Sequence, residues 1–217
     1  MIGSPDRHPG WPAKTPSAPT RAGAVRLRPL SRRDGRRWSA YRIADEDLLR
    51  PVEPTVQGDW ADAHTGQMWR RNLSGLLDLA RQGSLAPFAI EVEGQFAGQL
   101  TLGNIQHGVV SSCWVGYWVY SGFAGKGVAT AAVALGTDHA MRYIGLHRVE
   151  ATVLESNTAS RRVLEHAGFR EEGMLRRNLH IDGRWRDHLM VGLTVEETDD
   201  GVLAGLQRSG ILPARLR

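Results

Sequence analysis

Between Ala24 and Arg28 apolar and basic residues alternate as Ala-Val-Arg-Leu-Arg, the period of a strand with one buried face. Ser31 and Asp34 stand three apart, as in a capping box, and predict a helix running toward Leu49. Pro51, Pro54 and Gly58 make residues 50–64 a loop. From Thr65 to Arg81 the spacing becomes helical, with Met68, Trp69, Leu73, Leu76, Leu77 and Ala80 on one face and Gly83 as the stop. Three short apolar runs follow, Phe88–Val92, Phe96–Ile105 and Val109–Tyr120, joined by tight turns that predict antiparallel neighbours. A glycine-rich stretch then leads into an alanine-rich helix running to Tyr143, with Gly145 as its stop. Next come a strand over His147–Leu154 and a helix over Thr158–Ala167 closed by Gly168. Asp182-Gly183 marks the tip of a final hairpin.

Residues 1–23 hold proline and almost no large apolar side chains and are expected to be a disordered leader. Residues 24–197 form one α/β domain, and residues 198–217 a loosely packed tail. The chain has 217 residues, 41% hydrophobic and 23% charged, enough for a single sizeable core. No run approaches the ~18 apolar residues of a membrane-crossing helix, and no export-type apolar stretch stands at the N-terminus. Cys113 is the only cysteine, which excludes an internal disulfide and fits a reducing cytoplasm. The net charge is +4, and two of those charges lie in the leader. The remaining basic residues are interleaved with acids rather than massed in a stripe, so no nucleic-acid partner is expected. The eight histidines lack His-Glu-x-x-His spacing and there is no cysteine pair, so no metal is expected either.

The stretch Tyr120-Ser-Gly-Phe-Ala-Gly-Lys-Gly-Val-Ala-Thr-Ala-Ala132 places three glycines in six residues between a strand and a helix. Helix-initial N–H groups lack internal partners and carry partial positive charge, and bare glycines let an anion approach them. A Walker A loop is excluded, because Gly127 follows Lys126 and Tyr120 occupies the first glycine position. A dinucleotide fingerprint is disfavoured by Thr130 and by the antiparallel meander that precedes the loop. A coenzyme A diphosphate would use the same cradle, and a tight turn without ligand is the bland alternative.

About thirty residues on stands Glu155-Ser-Asn157-Thr-Ala-Ser160-Arg-Arg-Val-Leu-Glu-His-Ala-Gly168-Phe169. The two segments together resemble the GCN5-related N-acetyltransferase superfamily, in which a Gly-rich loop and helix precede a strand, Asn-x-x-Ser/Ala, a helix and Gly-Phe. The resemblance covers roughly residues 24–196. Glu172-Gly-Met-Leu-Arg176 and Ile181-Asp-Gly-Arg-Trp185-Arg-Asp187-His188 are similar to the RimJ-like ribosomal-protein-alanine N-acetyltransferases. One departure is Gly122, where the superfamily usually has Gln or Arg.

The resemblance implies a mixed α/β fold with a mostly antiparallel central sheet whose strands splay into a V. It implies acetyl-coenzyme A as cosubstrate and a primary amine as acceptor, foremost the N-terminal Ala or Ser of a protein. The cofactor would lie along Trp118 and Val119, over Gly125, Lys126, Gly127, Val128, Ala129 and Thr130, and against Asn157 and Ser160. A tyrosine that serves many members as acid is replaced by Leu164, leaving Ser160 as the nearest substitute, although its ordinary role is helix-start bonding or cofactor contact. Val149, Ala151 and Val153 share one strand face, so Glu150 looks out from the other and is the candidate base. An Arg148–Glu150 ion pair would account for it equally well, and Asp182 and Asp187 are weaker candidates. The rival readings are a small-molecule acetyltransferase acting on an aminoglycoside, polyamine or amino sugar, and a non-catalytic acyl-coenzyme A sensor.

Overall fold

In the computed structural model, which describes residues 10–214, eight strands form one sheet in the order β1-β2-β3-β4-β5-β6-β8-β7. They are β1 (Ala18–Thr20), β2 (Gly23–Pro29), β3 (Leu85–Val92), β4 (Gln95–Gln106), β5 (Ser112–Val119), β6 (Arg148–Val153), β7 (Arg170–Ile181) and β8 (Arg184–Thr194). Every neighbouring pair is antiparallel except β5 and β6. The hairpin tip is as expected, with Asp182 and Gly183 both at positive φ.

β3 is buried along its whole length because each of its two faces meets a core. On one face Phe88 and Ile90 join the larger core beneath α5 (Val128–His139), α6 (Thr158–His166) and α7 (Val202–Arg208). On the other, Ala89 meets a tryptophan-rich core of Trp38, Trp60, Trp69, Phe96 and Trp118. That second core is roofed by α1 (Gly35–Ala44) and α4 (Gly66–Arg81), with the short helices α2 (Glu46–Leu49) and α3 (Trp60–Ala63) between them. α4 begins one residue inside its expected start, with Thr65 Oγ1 accepting the Met68 N–H, and turns Trp69, Leu73 and Ala80 inward.

Three expectations are corrected. The helix from Ser31 breaks at Asp45, whose carboxylate is committed to Ser121 rather than to its own helix. The loop 50–64 contains α3, because Trp60 is drawn into the second core and its indole N–H donates to the Arg42 carbonyl at 2.6 Å. The ends pack more closely than their composition predicts. In the leader, Trp11 and Ala13 lie against the larger core, Thr15 Oγ1 accepts the Leu27 N–H at 2.9 Å, and β1 extends the sheet. In the tail, α7 buries Val202 and Leu206, and Leu212 is buried beyond it. Residues 1–9 and 215–217 of these two segments lie outside the described residues.

Candidate active site

β5 and β6 pair only from Ser112, Cys113 and Trp114 to Arg148, Val149 and Glu150. Past that point the two strands part while β5 stays bonded to β4 and β6 to β8, opening a V-shaped cleft. The Tyr120 N–H donates to the Ala97 carbonyl at 2.9 Å. Trp118 therefore turns its peptide groups toward β4 as well, and the alternate residues Tyr117 and Val119 turn theirs into the cleft. Of the two cofactor contacts expected on this strand, Val119 offers the donor. The Trp118 side chain is buried in the second core.

At the far end of β5 the chain makes a single turn over Ser121–Phe123 and enters α5 through Gly125-Lys126-Gly127. Gly125 has φ +69°, and a side chain there would meet nothing within 4 Å. Gly127, the N-cap of α5, has φ +87°. Both conformations are strained for residues with a Cβ, so glycine keeps the loop open above the free N–H groups of the helix. The cradle fits a diphosphate. The side chains of Val128 and Thr130 are buried beneath it, so these two residues reach an anion only through their N–H groups.

On the opposite wall, the Asn157 side chain caps α6 by accepting the Ser160 N–H at 3.1 Å. Ser160 is met from across the cleft by Tyr117, whose phenol lies 2.9 Å from Ser160 Oγ and 3.3 Å from its carbonyl. Burial pushes the Tyr117 phenol up, against a smaller opposing effect of the Ser160 bond, so it stays protonated at neutral pH. The sequence carries no sign of this partnership. Leu164, at the position where the superfamily resemblance leads one to expect tyrosine, is buried in the larger core.

Glu150 sits at the apex of the V on the same sheet face as its register partner Trp114. Arg148 Nε donates to Glu150 at 3.1 Å, and the same guanidinium makes a two-point pair with Glu172 on β7. The Glu172 contact is the main cause that raises Arg148 further, and Arg148 in turn holds the Glu172 carboxyl below its usual range. The buried Cys113 thiol is pushed up to about 12 by burial, with Glu150 adding to the effect, and is inert. Asp182 is paired with Arg50 at 3.0 Å, and Asp187 accepts the Arg177 N–H at 2.7 Å. Neither carboxylate joins the cleft cluster. Among the described residues no group of three His, Cys, Asp or Glu side chains could hold a metal ion.

A second cluster lies farther along the same face of the sheet, over Trp118. The Arg42 guanidinium stands 5.1–5.7 Å from the rings of Trp38, Trp60 and Trp118 and is paired with Glu53. His64 Nδ1 lies 2.7 Å from the Trp60 carbonyl. Burial first, and then the Arg42 charge, hold its imidazole down at about 4, against a weaker opposing pull from that bond.

The splayed mixed sheet, the glycine cradle and the facing helix start define an N-acetyltransferase architecture. The family model for the acetyltransferase (GNAT) domain matches residues 24–170, and the chain belongs to that family. Among solved structures, Mycobacterium smegmatis RimJ in complex with CoA-disulfide is 48% identical. It superposes with a TM-score of 0.92, the match covering 94% of this chain and 98% of that one. The ribosomal protein uS5-alanine N-acetyltransferase of Escherichia coli (strain K12) is 27% identical over 88% of this chain and 98% of its own length. The probable N-acetyltransferase YjcK of Bacillus subtilis (strain 168) is 39% identical, but that match spans 46% of this chain and 56% of the relative.

Proposed function

We propose that the chain moves the acetyl group of acetyl-coenzyme A to the N-terminal α-amine of a protein, an Ala or Ser terminus such as that of a ribosomal protein, in the cytoplasm. The likeness to the RimJ protein solved in complex with CoA-disulfide supports the cosubstrate, and the Gly125–Gly127 cradle supplies its anion site. The acetylated cofactor brings a thioester whose carbonyl carbon takes the amine. The Val119 N–H donates to the thioester oxygen as negative charge develops there. Glu150 accepts the ammonium proton, an undemanding task for an α-amine of pKa ~8. As the C–S bond breaks, the Tyr117 phenol, oriented by Ser160, donates a proton to the sulfur. The nitrogen releases its second proton to solvent as the amide forms, and the phenol recovers its own from solvent.

The observation that carries the acceptor class is the charge of the β7–β8 hairpin. Between residues 176 and 187 it carries Arg176, Arg177, Arg184 and Arg186 against Asp182 and Asp187, and Arg184, Trp185, Arg186 and Asp187 line a recess of about 610 Å3 with Leu154, Glu155 and Ser156. Asp182 at the tip is paired with Arg50, Glu53 of the preceding loop with Arg42, and Asp187 accepts the Arg177 N–H. Loop residues 54 and 55 are tied to the hairpin by the Pro54–Ile181 bridge and by Thr55 bonds to His180 and Gly183. A polyamine or aminoglycoside needs clustered free carboxylates, and this wall, where Glu155 and Asp187 are matched by Arg184 and Arg186, offers no excess of them. A peptide has one ammonium, and its carbonyls and acidic side chains suit arginines. Acetyl transfer to peptides beginning with Ala or Ser should therefore be faster than to spermine or kanamycin at matched concentration. Robust turnover of either polycation with peptides inert would replace this reading with the small-molecule one.

A further inference from the structure

The loop position where the superfamily resemblance leads one to expect Gln or Arg is Gly122, so the side chain that would face the cofactor's phosphates from there is missing. The fold brings a cation to the loop from elsewhere. In the turn between β1 and β2, the Arg21 N–H donates to the Lys126 carbonyl at 3.2 Å, and Arg21 Nη2 donates to the Gly125 carbonyl at 3.0 Å. Lys126 Nζ donates to the Gly122 carbonyl at 3.1 Å. Both cations are thus clamped to the backbone of the cradle, and among the described residues neither has a carboxylate partner. Thr20, next to Arg21, runs alongside the α5 N-cap, 3.8 Å from where a Gly127 Cβ would stand.

A guanidinium carries five N–H donors, and the Gly125 carbonyl uses one and cancels no charge. We propose that Arg21 is a phosphate-binding residue: anchored on Gly125, it supplies, with Lys126, the positive charge that holds the cofactor diphosphate over the start of α5. This rests on the acetyl-coenzyme A reading above. It assigns a binding role to a residue outside the family-matched segment, in the stretch whose composition predicts disorder.

Calorimetry on the full-length chain with coenzyme A and 3′-dephospho-coenzyme A tests it. Arg21→Ala should weaken both ligands by about tenfold and flatten the salt dependence of binding, because one charged contact is lost. Arg21→Gln keeps a donor for the Gly125 carbonyl without the charge and should show the same loss, whereas Arg21→Lys should recover most of the affinity. Parent-like affinity in Arg21→Gln, with loss only in Arg21→Ala, would make Arg21 a mere tie for the loop and overturn the proposal. A loss confined to the ligand bearing the 3′-phosphate would overturn the diphosphate assignment. Failure of the parent to bind either ligand would instead refute the acetyl-coenzyme A reading itself.

Discussion

Tyr117 on β5 and Ser160 on α6 join their hydroxyl oxygens at 2.9 Å across strands that have ceased to pair. The contact bridges the cleft two residues before Val119 and, on the proposed reading, sets a protonated phenol beside the thioester. Tyr117→Phe should lower kcat by about tenfold to a hundredfold, the range for losing a positioned acid, with coenzyme A affinity within about twofold of the parent. Ser160→Ala should leave the phenol in place and cost less. Steady-state kinetics with a calorimetric Kd for each variant check this. A Tyr117→Phe enzyme with parental kcat would remove the phenol from the chemistry.

For Glu150, replacement by Gln should reduce kcat by about a hundredfold while cofactor affinity stays level. The Arg148 contact is partly exposed, and Arg148 keeps its Glu172 partner, so stability should fall by no more than about 1 kcal/mol. Full activity together with a lowered melting temperature would assign Glu150 to the ion pair alone.

The two cradle glycines should respond differently. Gly127→Ala places a Cβ at φ +87° and within 3.1 Å of Leu212, and should cost about 1–2 kcal/mol in urea unfolding. Gly125→Asn has open space and a residue tolerant of positive φ, and should cost well under 1 kcal/mol. Gly125→Glu should fold but bind coenzyme A at least a hundredfold more weakly, because a carboxylate would occupy the anion site. Unchanged affinity in Gly125→Glu would mean that the glycines serve only the turn.

Acid stability should depend on His64. Its folded-state pKa, about 4, lies below the unfolded value of 6.5, so unfolding takes up a proton between those two values. The contribution of neutral His64 is therefore complete above pH 6.5 and is lost as pH falls toward 4. Melting temperatures measured across that window should drop more steeply for the parent than for His64→Gln. His139 and His188 are lowered by burial in the same direction and should leave a residual slope in the variant. Parallel curves for parent and variant would refute the assignment.

What was legible in the sequence was what depends on local pattern. The α4 stripe, the Asp182-Gly183 turn and the glycine loop each rest on residues a few positions apart, and each stands where expected. What was hidden depends on partners far along the chain. In α1 the apolar Ile43 is exposed while Arg42 is buried, an inversion that no hydrophobic periodicity reveals. It holds because three tryptophan faces and Glu53 receive the guanidinium. The Tyr117–Ser160 contact spans 43 residues and exists only because two strands diverge, a fact about sheet geometry rather than composition. The leader misled for a related reason. Its few apolar side chains form no pattern of their own, but fill gaps in a surface built by residues from elsewhere.

Leu212 near one terminus and Thr20 near the other both border Gly127. The catalytic unit is therefore not a portable module. An excised 24–197 fragment would keep every residue of the cleft chemistry yet lose the two flanking pieces that border its anion cradle. Swapping the ends between relatives becomes a way to retune cofactor affinity without touching the acceptor side, and any appended tag or fusion partner should be placed with that proximity in mind.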